Sequence, residues 1–166
     1  MSDSAPSQRS ASGGFALMEA LVVIVCLGVL AATGITFYDG VRSARSRSAR
    51  CELTSLVESG RRLARDCRLR LEVVFDPEAQ ACGIRRPGER AWWRSPVSHE
   101  PLSLELGRES AGGLVIEQAT LAHGTSLRLD EYGVPDGPGR VEFSDPSGRH
   151  YRLTIAATGL LLWDER

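Results

Sequence analysis

Apolar residues form one long block near the start of the chain. The run from Ala20 to Ala32 contains no charged residue, and residues 15–38 carry only the charge of Glu19. These 24 residues are enough for an α-helix to cross a hydrocarbon layer of about 30 Å. The pattern therefore predicts a transmembrane helix over residues 15–38.

A second apolar pattern follows with the spacing of an amphipathic helix. Its members recur every three or four residues, which places them on one helical face: Leu53, Leu56, Val57, Gly60, Leu63, Ala64 and Cys67. The pattern predicts that the helix continues through residues 39–68, and that Gly60 lets a sheet approach the helix backbone. We expect the opposite face to be mostly solvated, with a few intrahelical ion pairs; the alternative is contact with neighbouring subunits or with a polyanion. This face carries Arg42, Arg45, Arg47, Arg50, Glu52, Glu58, Arg61, Arg62, Arg65 and Asp66.

From residue 69 onward the pattern changes to short runs of β-forming residues between turn residues. The runs cover residues 69–75, 81–85, 102–106, 113–117, 125–129, 140–143, 150–156 and 160–163. Pro-containing turns at residues 76–80 and 145–148 predict two antiparallel hairpins, and residues 91–101 are predicted to form an irregular loop. The predicted fold class is α+β: a long N-terminal helix, transmembrane in its first half, packs on an antiparallel β-sheet domain of residues 69–166.

Glu19 is unusual within the apolar block. A carboxylate inside a spanning helix costs about 2.5–3.5 kcal/mol on insertion scales, so a neighbouring positive charge should neutralise it. Cleavage between Gly14 and Phe15 would create such a charge, the new terminal amine. Residues 1–14 are polar and lack the apolar core of a secretory signal, which predicts that they form a leader peptide removed by cleavage.

Gly14, Phe15 and Glu19, followed by Leu21-Val22-Val23-Ile24, resemble the processing site of type IV pilins and type II secretion pseudopilins. The resemblance implies that a prepilin peptidase cleaves after Gly14 and N-methylates Phe15. It also implies that Glu19 pairs with the amino terminus of a neighbouring subunit during assembly. The alternatives are a plain signal anchor in which Glu19 occurs by chance and, less favoured, a cleaved secretory signal.

The C-terminal half narrows this resemblance. The segments 133–137, 141–143 and 158–160 are similar to minor pseudopilins of the GspH and FimT type. The resemblance implies a single-pass protein of the bacterial inner membrane with its C-terminal domain in the periplasm. It would be a structural subunit of the type II secretion pseudopilus, with other pseudopilins and the inner-membrane assembly platform as partners. The alternative is a minor type IV pilin that acts in pilus assembly or in DNA binding and uptake.

The charge distribution bears on orientation and on nucleic acid. Four arginines follow the apolar block and only Arg9 precedes it, which by the positive-inside rule would favour the opposite orientation; the processing motif outweighs this count.

The formal net charge of −1 makes nucleic acid an unfavoured partner. A local cluster could still contact DNA or another protein through stacking and charge: Arg85, Arg86, Arg90, Trp92, Trp93 and Arg94.

No residue pattern predicts catalysis or a cofactor. His99, His123 and His150 stand apart from any nucleophile motif, and all 20 basic residues are arginines, so no lysine nucleophile is present. Asp130, Glu131 and Asp136 could offer oxygens to Ca²⁺. Their spacing differs from that of the EF-hand loop, however, and favours an ordinary turn. Cys51, Cys67 and Cys82 follow the apolar block, and a disulfide involving Cys82 remains open. We therefore expect a non-enzymatic protein without a metal.

Overall fold

The structure is a computed structural model that describes residues 12–107 and 113–166, without the side chains of residues 12–17, 33–40 and 42. One helix, α1 (Ser12–Cys67), precedes eight strands. These are β1 (Leu71–Asp76), β2 (Ala81–Arg85), β3 (Ser103–Glu105), β4 (Val115–Thr120), β5 (Ser126–Leu129), β6 (Gly139–Ser144), β7 (His150–Ile155) and β8 (Leu161–Glu165). The described part of the chain divides between Val41 and Arg42 into two compact units.

In the first unit, every side chain described between Met18 and Ala32 is exposed. The large apolar ones include Met18, which is 72% exposed, and Ile24, which is 69% exposed. Among the described residues, no helix has the length and apolar character needed to cross a membrane. The predicted leader, residues 1–14, and the predicted span, residues 15–38, lie partly outside the described residues.

In the second unit, α1 buries one face against the strands. Ala49, Leu53, Val57 and Ala64 are each at most 3% exposed. Gly60 lies on the same face, where a Cβ atom would sit 3.2 Å from Cγ2 of Val73, so the prediction that glycine permits close packing is confirmed. These residues form the helix side of the core.

The predicted stripe is wrong at its last position, because Cys67 is exposed. Cys67 is the last residue of α1, and Arg68 turns the chain away with a left-handed φ of 53°. The amide of Leu69 then donates to the carbonyl of Ala64 at 3.0 Å, as in the usual left-handed helix terminus. Because the helix ends at Cys67, the side chain of Cys67 does not pack against the core.

The strands form two antiparallel sheets, whereas the sequence suggested a single sheet under the helix. Sheet 1 has the order β3-β2-β1-β5 and sheet 2 the order β4-β6-β7-β8. Both predicted hairpins are confirmed, since β1 pairs with β2 and β6 pairs with β7. The predicted α+β class, with a long helix packed on antiparallel strands, is confirmed as well.

Gln80 links the two sheets. This residue ends the β1–β2 turn in a left-handed conformation, with a φ of 49°. Its side-chain amide accepts a hydrogen bond from the amide of Ile116 at 2.8 Å and donates to the Ile116 carbonyl at 3.0 Å. The side chain thus pairs with β4 as a strand would, and it connects sheet 1 to sheet 2.

Asp145 organises the β6–β7 turn. Its Oδ1 accepts hydrogen bonds from the amides of Ser147 at 2.8 Å and Arg149 at 3.0 Å, and from the Ser147 hydroxyl. The hydroxyl of Tyr151 donates to its other oxygen at 3.3 Å. Burial by itself raises the pKa of Asp145. The hydrogen bonds from Ser147 and Arg149, together with the charge of Arg149, lower it by more, so the pKa lies below its ordinary value.

We expect Asp145→Asn to lower the free energy of unfolding at neutral pH. We also expect that free energy to fall less steeply in the variant as the pH is lowered. Because the folded-state pKa is lowered, ionised Asp145 stabilises the fold above about pH 4, the ordinary aspartate pKa, and this contribution disappears as the pH falls further. Urea unfolding measured between pH 7 and pH 3 tests this. The exposed Asp164 supplies the control, since Asp164→Asn should leave the change in the free energy of unfolding with pH as it is in the wild type. The same pH dependence in the wild type and both variants would contradict the role of Asp145.

Candidate functional site

The predicted processing site lies at the start of α1. Gly14 and Phe15 fall within the bounds of the helix, but the side chain of Phe15 lies outside the described part of the chain. Glu19 is exposed, as are the neighbouring Met18 and Leu21. Cleavage after Gly14, methylation of Phe15 and the assembly role of Glu19 therefore stay predictions.

The predicted Arg and Trp cluster lies around β2 and the loop that follows it. Arg85 is the most engaged member: its Nε lies 2.6 Å from Oε1 of Glu72, whose side chain is only 5% exposed. The two residues face each other across the β1–β2 ladder. This ion pair is part of sheet 1, and it satisfies a buried carboxylate that would otherwise be costly.

The two tryptophans of the cluster are both half-buried. The Trp92 ring covers Gly83, where a Cβ atom would lie only 2.5 Å from the ring carbon Cε3. Trp93 packs against the core and carries the guanidinium of Arg86 4.9 Å from its ring centroid. Each ring therefore already has a partner on one side within this domain.

The remaining arginines of the cluster are exposed. Arg94 donates to the carbonyl of His99 at 3.2 Å, and Arg90 is exposed in the turn before the tryptophans. The loop predicted to be irregular contains an antiparallel bridge between Arg94 and Pro101. The structure brings Arg86 onto Trp93 but commits Arg85 to Glu72, and contact of this cluster with DNA or a partner stays a prediction.

The acidic residues considered for Ca²⁺ take up turn and pairing roles. Asp130 accepts the amides of Tyr132 at 2.9 Å and Val134 at 2.8 Å through Oδ1. Asp136 lies 2.5 Å from Nε2 of His123, while Glu131 is exposed. Within the described residues, no group of three or more His, Cys, Asp or Glu side chains is arranged to hold a metal ion.

The four cysteines are free thiols. Cys26, Cys51 and Cys67 are exposed, whereas Cys82 is buried in the core. Burial in apolar surroundings raises the pKa of the Cys82 thiol far above its ordinary value. Cys82 is therefore a structural residue with low reactivity.

Arg61 was predicted to be solvated, and this prediction is wrong. Its side chain is 24% exposed and reaches into the β domain. Nε donates to the carbonyl of Gly133 at 3.1 Å and Nη1 to that of Gly159 at 3.0 Å, while Nη1 also contacts Glu58 at 2.8 Å. Arg61 thus joins the helix to the loops before β6 and before β8.

Gly133 and Gly159 make this contact feasible. Both have a positive φ, 74° and 84° respectively, and a Cβ at Gly133 would lie 2.3 Å from the backbone oxygen of Arg61. Such close approach excludes any side chain at Gly133. The glycines were visible in the sequence, but nothing in the sequence linked them to Arg61.

A groove beside α1 was also missed by the sequence analysis. It has a volume of about 580 Å³ and lies between one flank of the helix and Trp163 of β8. Trp163 donates from Nε1 to the hydroxyl of Thr54 at 3.0 Å. The guanidinium of Arg50 lies 4.3 Å from the ring centroid of Tyr151 and 6.0 Å from that of Trp163, a cation–π arrangement.

No protein-family model and no curated protein matches this chain. One solved structure is similar: the type IV minor pilin FimU of Pseudomonas aeruginosa. It aligns with a TM-score of 0.48 over 71% of this chain and 87% of that one, at 16% sequence identity.

Proposed function

We propose that this chain is a minor pseudopilin, a structural subunit of the periplasmic pseudopilus of a type II secretion system. The observation that carries the proposal is the exposed apolar surface of α1 between Met18 and Ala32. Leu21, Val22 and Val23 are 58%, 53% and 52% exposed, and because successive residues lie about 100° apart they point to different sides of the helix. A helix that is apolar all round requires a non-aqueous surrounding.

A membrane and a bundle of like helices both provide that surrounding. Before assembly, residues 15–38 would cross the bacterial inner membrane once, with residues 69–166 in the periplasm. In the filament the same surface would pack against neighbouring pseudopilins delivered by the inner-membrane assembly platform. Large exposed apolar patches mark such interaction sites, so one surface would serve both states.

The processing motif supports the same proposal. A prepilin peptidase would remove residues 1–14 and methylate Phe15, and the new amine would neutralise Glu19 of an adjacent subunit. In a low dielectric the attraction between the two charges is much stronger than at a water-exposed surface. The chain has the role of a structural subunit in this proposal, and its mechanism is assembly without catalytic turnover.

The second candidate is a minor type IV pilin that binds DNA. The exposed arginines Arg86, Arg90 and Arg94 around Trp93 favour it, since phosphate contacts and base stacking use these side chains. Binding of single-stranded DNA to the full chain, measured as a function of salt, tests this candidate. A steep loss of affinity between 50 and 200 mM salt, removed by Arg90→Ala and Arg94→Ala together, would support it.

We expect the intact chain to be cut only in cells that contain a prepilin peptidase. The product should begin at N-methylated Phe15, because the cut after Gly14 exposes that residue. Gly14→Val should abolish cleavage, whereas Gly13→Val, the matched control, should leave it largely intact. Intact mass and N-terminal sequence of the membrane-extracted protein give the result.

An uncut chain that begins at Met1 in the presence of the peptidase would contradict the proposal. It would favour a plain signal anchor, in which Glu19 has no assembly role. Cleavage at a different bond would contradict the assignment of Gly14 and Phe15 while leaving the exposed apolar helix to be explained by an anchor.

A further inference from the structure

Strand β8 forms an open edge of sheet 2. The amide of Ala156 donates to the carbonyl of Leu160 at 2.9 Å, and the amide of Arg166 donates to that of His150 at 3.0 Å. Given the β7–β8 register and the alternation of antiparallel ladders, the backbone groups of Leu161, Trp163 and Glu165 point away from β7. No described backbone group pairs with them.

The groove beside α1 meets this edge at Trp163, the residue of β8 that lines it. On the helix side it is lined by Arg47, Cys51, Ser55, Ser59 and Arg62, together with Arg50, Thr54 and Glu58. From Arg47 to Arg62 the helix rises about 22 Å, which matches the length of a seven-residue strand at about 3.3 Å per residue. The small side chains of Cys51, Ser55 and Ser59 leave the floor of the groove open.

The charge of the groove is positive. Arg47 and Arg62 are exposed and have no ion-pair partner among the described residues, and the Nε of Arg50 is buried there without a hydrogen-bond partner. The one acidic side chain, Glu58, is already paired with Arg61 at 2.8 Å. A ligand with carboxylates facing the helix would supply the missing charge.

We infer that this groove binds an extended acidic segment of another protein, which adds to β8 as a further antiparallel or parallel strand of sheet 2. Backbone groups of Leu161, Trp163 and Glu165 would give the pairing, and alternate acidic side chains would face Arg47, Arg50 and Arg62. Such strand addition takes its affinity from the backbone and its specificity from alternate side chains. The inference concerns residues 42–166 and is independent of the filament role.

A second copy of this chain fits the groove less well. Its own β8 would bring two carboxylates, but Glu165 already lies 3.9 Å from Arg149 and Asp164 faces Arg152 across the β7–β8 ladder. Little free negative charge would remain for the groove arginines. An acidic segment from a different protein therefore matches the surface better.

The test uses the purified full chain in mild detergent and a blocked seven-residue peptide that alternates glutamate with valine. We expect the peptide to slow alkylation of Cys51 and to leave Cys67 unaffected, because only Cys51 lines the groove. The variant Cys26→Ser/Cys67→Ser leaves Cys51 as its accessible thiol, and Cys26→Ser/Cys51→Ser leaves Cys67. Cys82 is buried in both and does not react. The glutamine counterpart of the peptide should bind at least tenfold more weakly.

Two further comparisons separate strand addition from simple charge attraction. Arg47→Glu/Arg62→Glu should weaken peptide binding at least tenfold, whereas Arg45→Glu/Arg65→Glu, exposed on the same helix but outside the groove, should change it less than twofold. Alternate amides of the bound peptide would point toward β8, and the others would point away from it. N-methylation of the amides that point toward β8 should abolish binding, whereas N-methylation of the others should be tolerated.

Several results would overturn the inference. The inference would be wrong if the peptide did not bind, or if both sets of methylated amides reduced its affinity equally. It would also be wrong if the two pairs of arginine substitutions reduced the affinity equally. Protection of Cys51 that rises with protein concentration in the absence of peptide would overturn it as well, because a second copy would then occupy the groove.

Discussion

Replacing Glu19 with alanine should lower the incorporation of this subunit into filaments at least tenfold while leaving cleavage after Gly14 intact. The reason is electrostatic: without the carboxylate, the amine of Phe15 on an adjacent subunit would be buried in the helix bundle unpaired, which costs several kcal/mol. The measurement is the amount of the variant that is cross-linked to other pseudopilins in the cell envelope, relative to the amount of uncross-linked variant in the membrane, by immunoblot.

Glu52→Ala is the matched control, because Glu52 is also an exposed glutamate on α1 but lies well beyond the apolar block. It should assemble as wild type does. Normal incorporation of Glu19→Ala would remove the pairing role of the carboxylate, and failure of both variants would point to a general effect of altering α1.

Replacing Arg61 with alanine should lower the free energy of unfolding by about 2–4 kcal/mol. Two backbone carbonyls, those of Gly133 and Gly159, lose a charged donor, and hydrogen bonds to charged groups contribute about 1.5–3 kcal/mol each before partial compensation by water. Urea unfolding of the full chain, followed by tryptophan fluorescence, gives the value.

Arg62→Ala provides the comparison within the same helical turn, since Arg62 is exposed; its effect should stay within about 0.5 kcal/mol. Arg61→Lys should recover only part of the loss, because one ammonium group cannot reproduce the planar guanidinium geometry. If Arg61→Ala and Arg62→Ala were equally stable, the contacts to Gly133 and Gly159 would carry no net free energy.

The elements of the fold were largely predictable because local rules determine them. The turn residues Asp76, Pro77, Asp145 and Pro146 located both confirmed hairpins, and the spacing of Leu53, Val57 and Ala64 located the buried face of α1. Gly60 was recognised as a close-packing position because it lies within that face. Each of these signals lies within a few residues of the feature that it predicts.

The missed features depend on residues far apart in the chain. Arg61 contacts carbonyls 72 and 98 residues away, and Glu72 binds Arg85 only because the β1–β2 register places them opposite each other. Helical periodicity places Arg61 about 100° from Gly60, on the flank of the stripe, but it contains no information about which loops pack against that flank. The separation of the strands into two sheets is likewise a matter of long-range pairing.

The contact between Arg61 and Gly159 has a consequence for how the protein reaches its folded state. Bringing together groups 98 residues apart costs more chain entropy than closing a hairpin, so this contact forms after the local ones. A nascent chain that stops short of Gly159 lacks this partner for Arg61 and also lacks β8. The domain can therefore acquire its full stability only once its last strand has been synthesised.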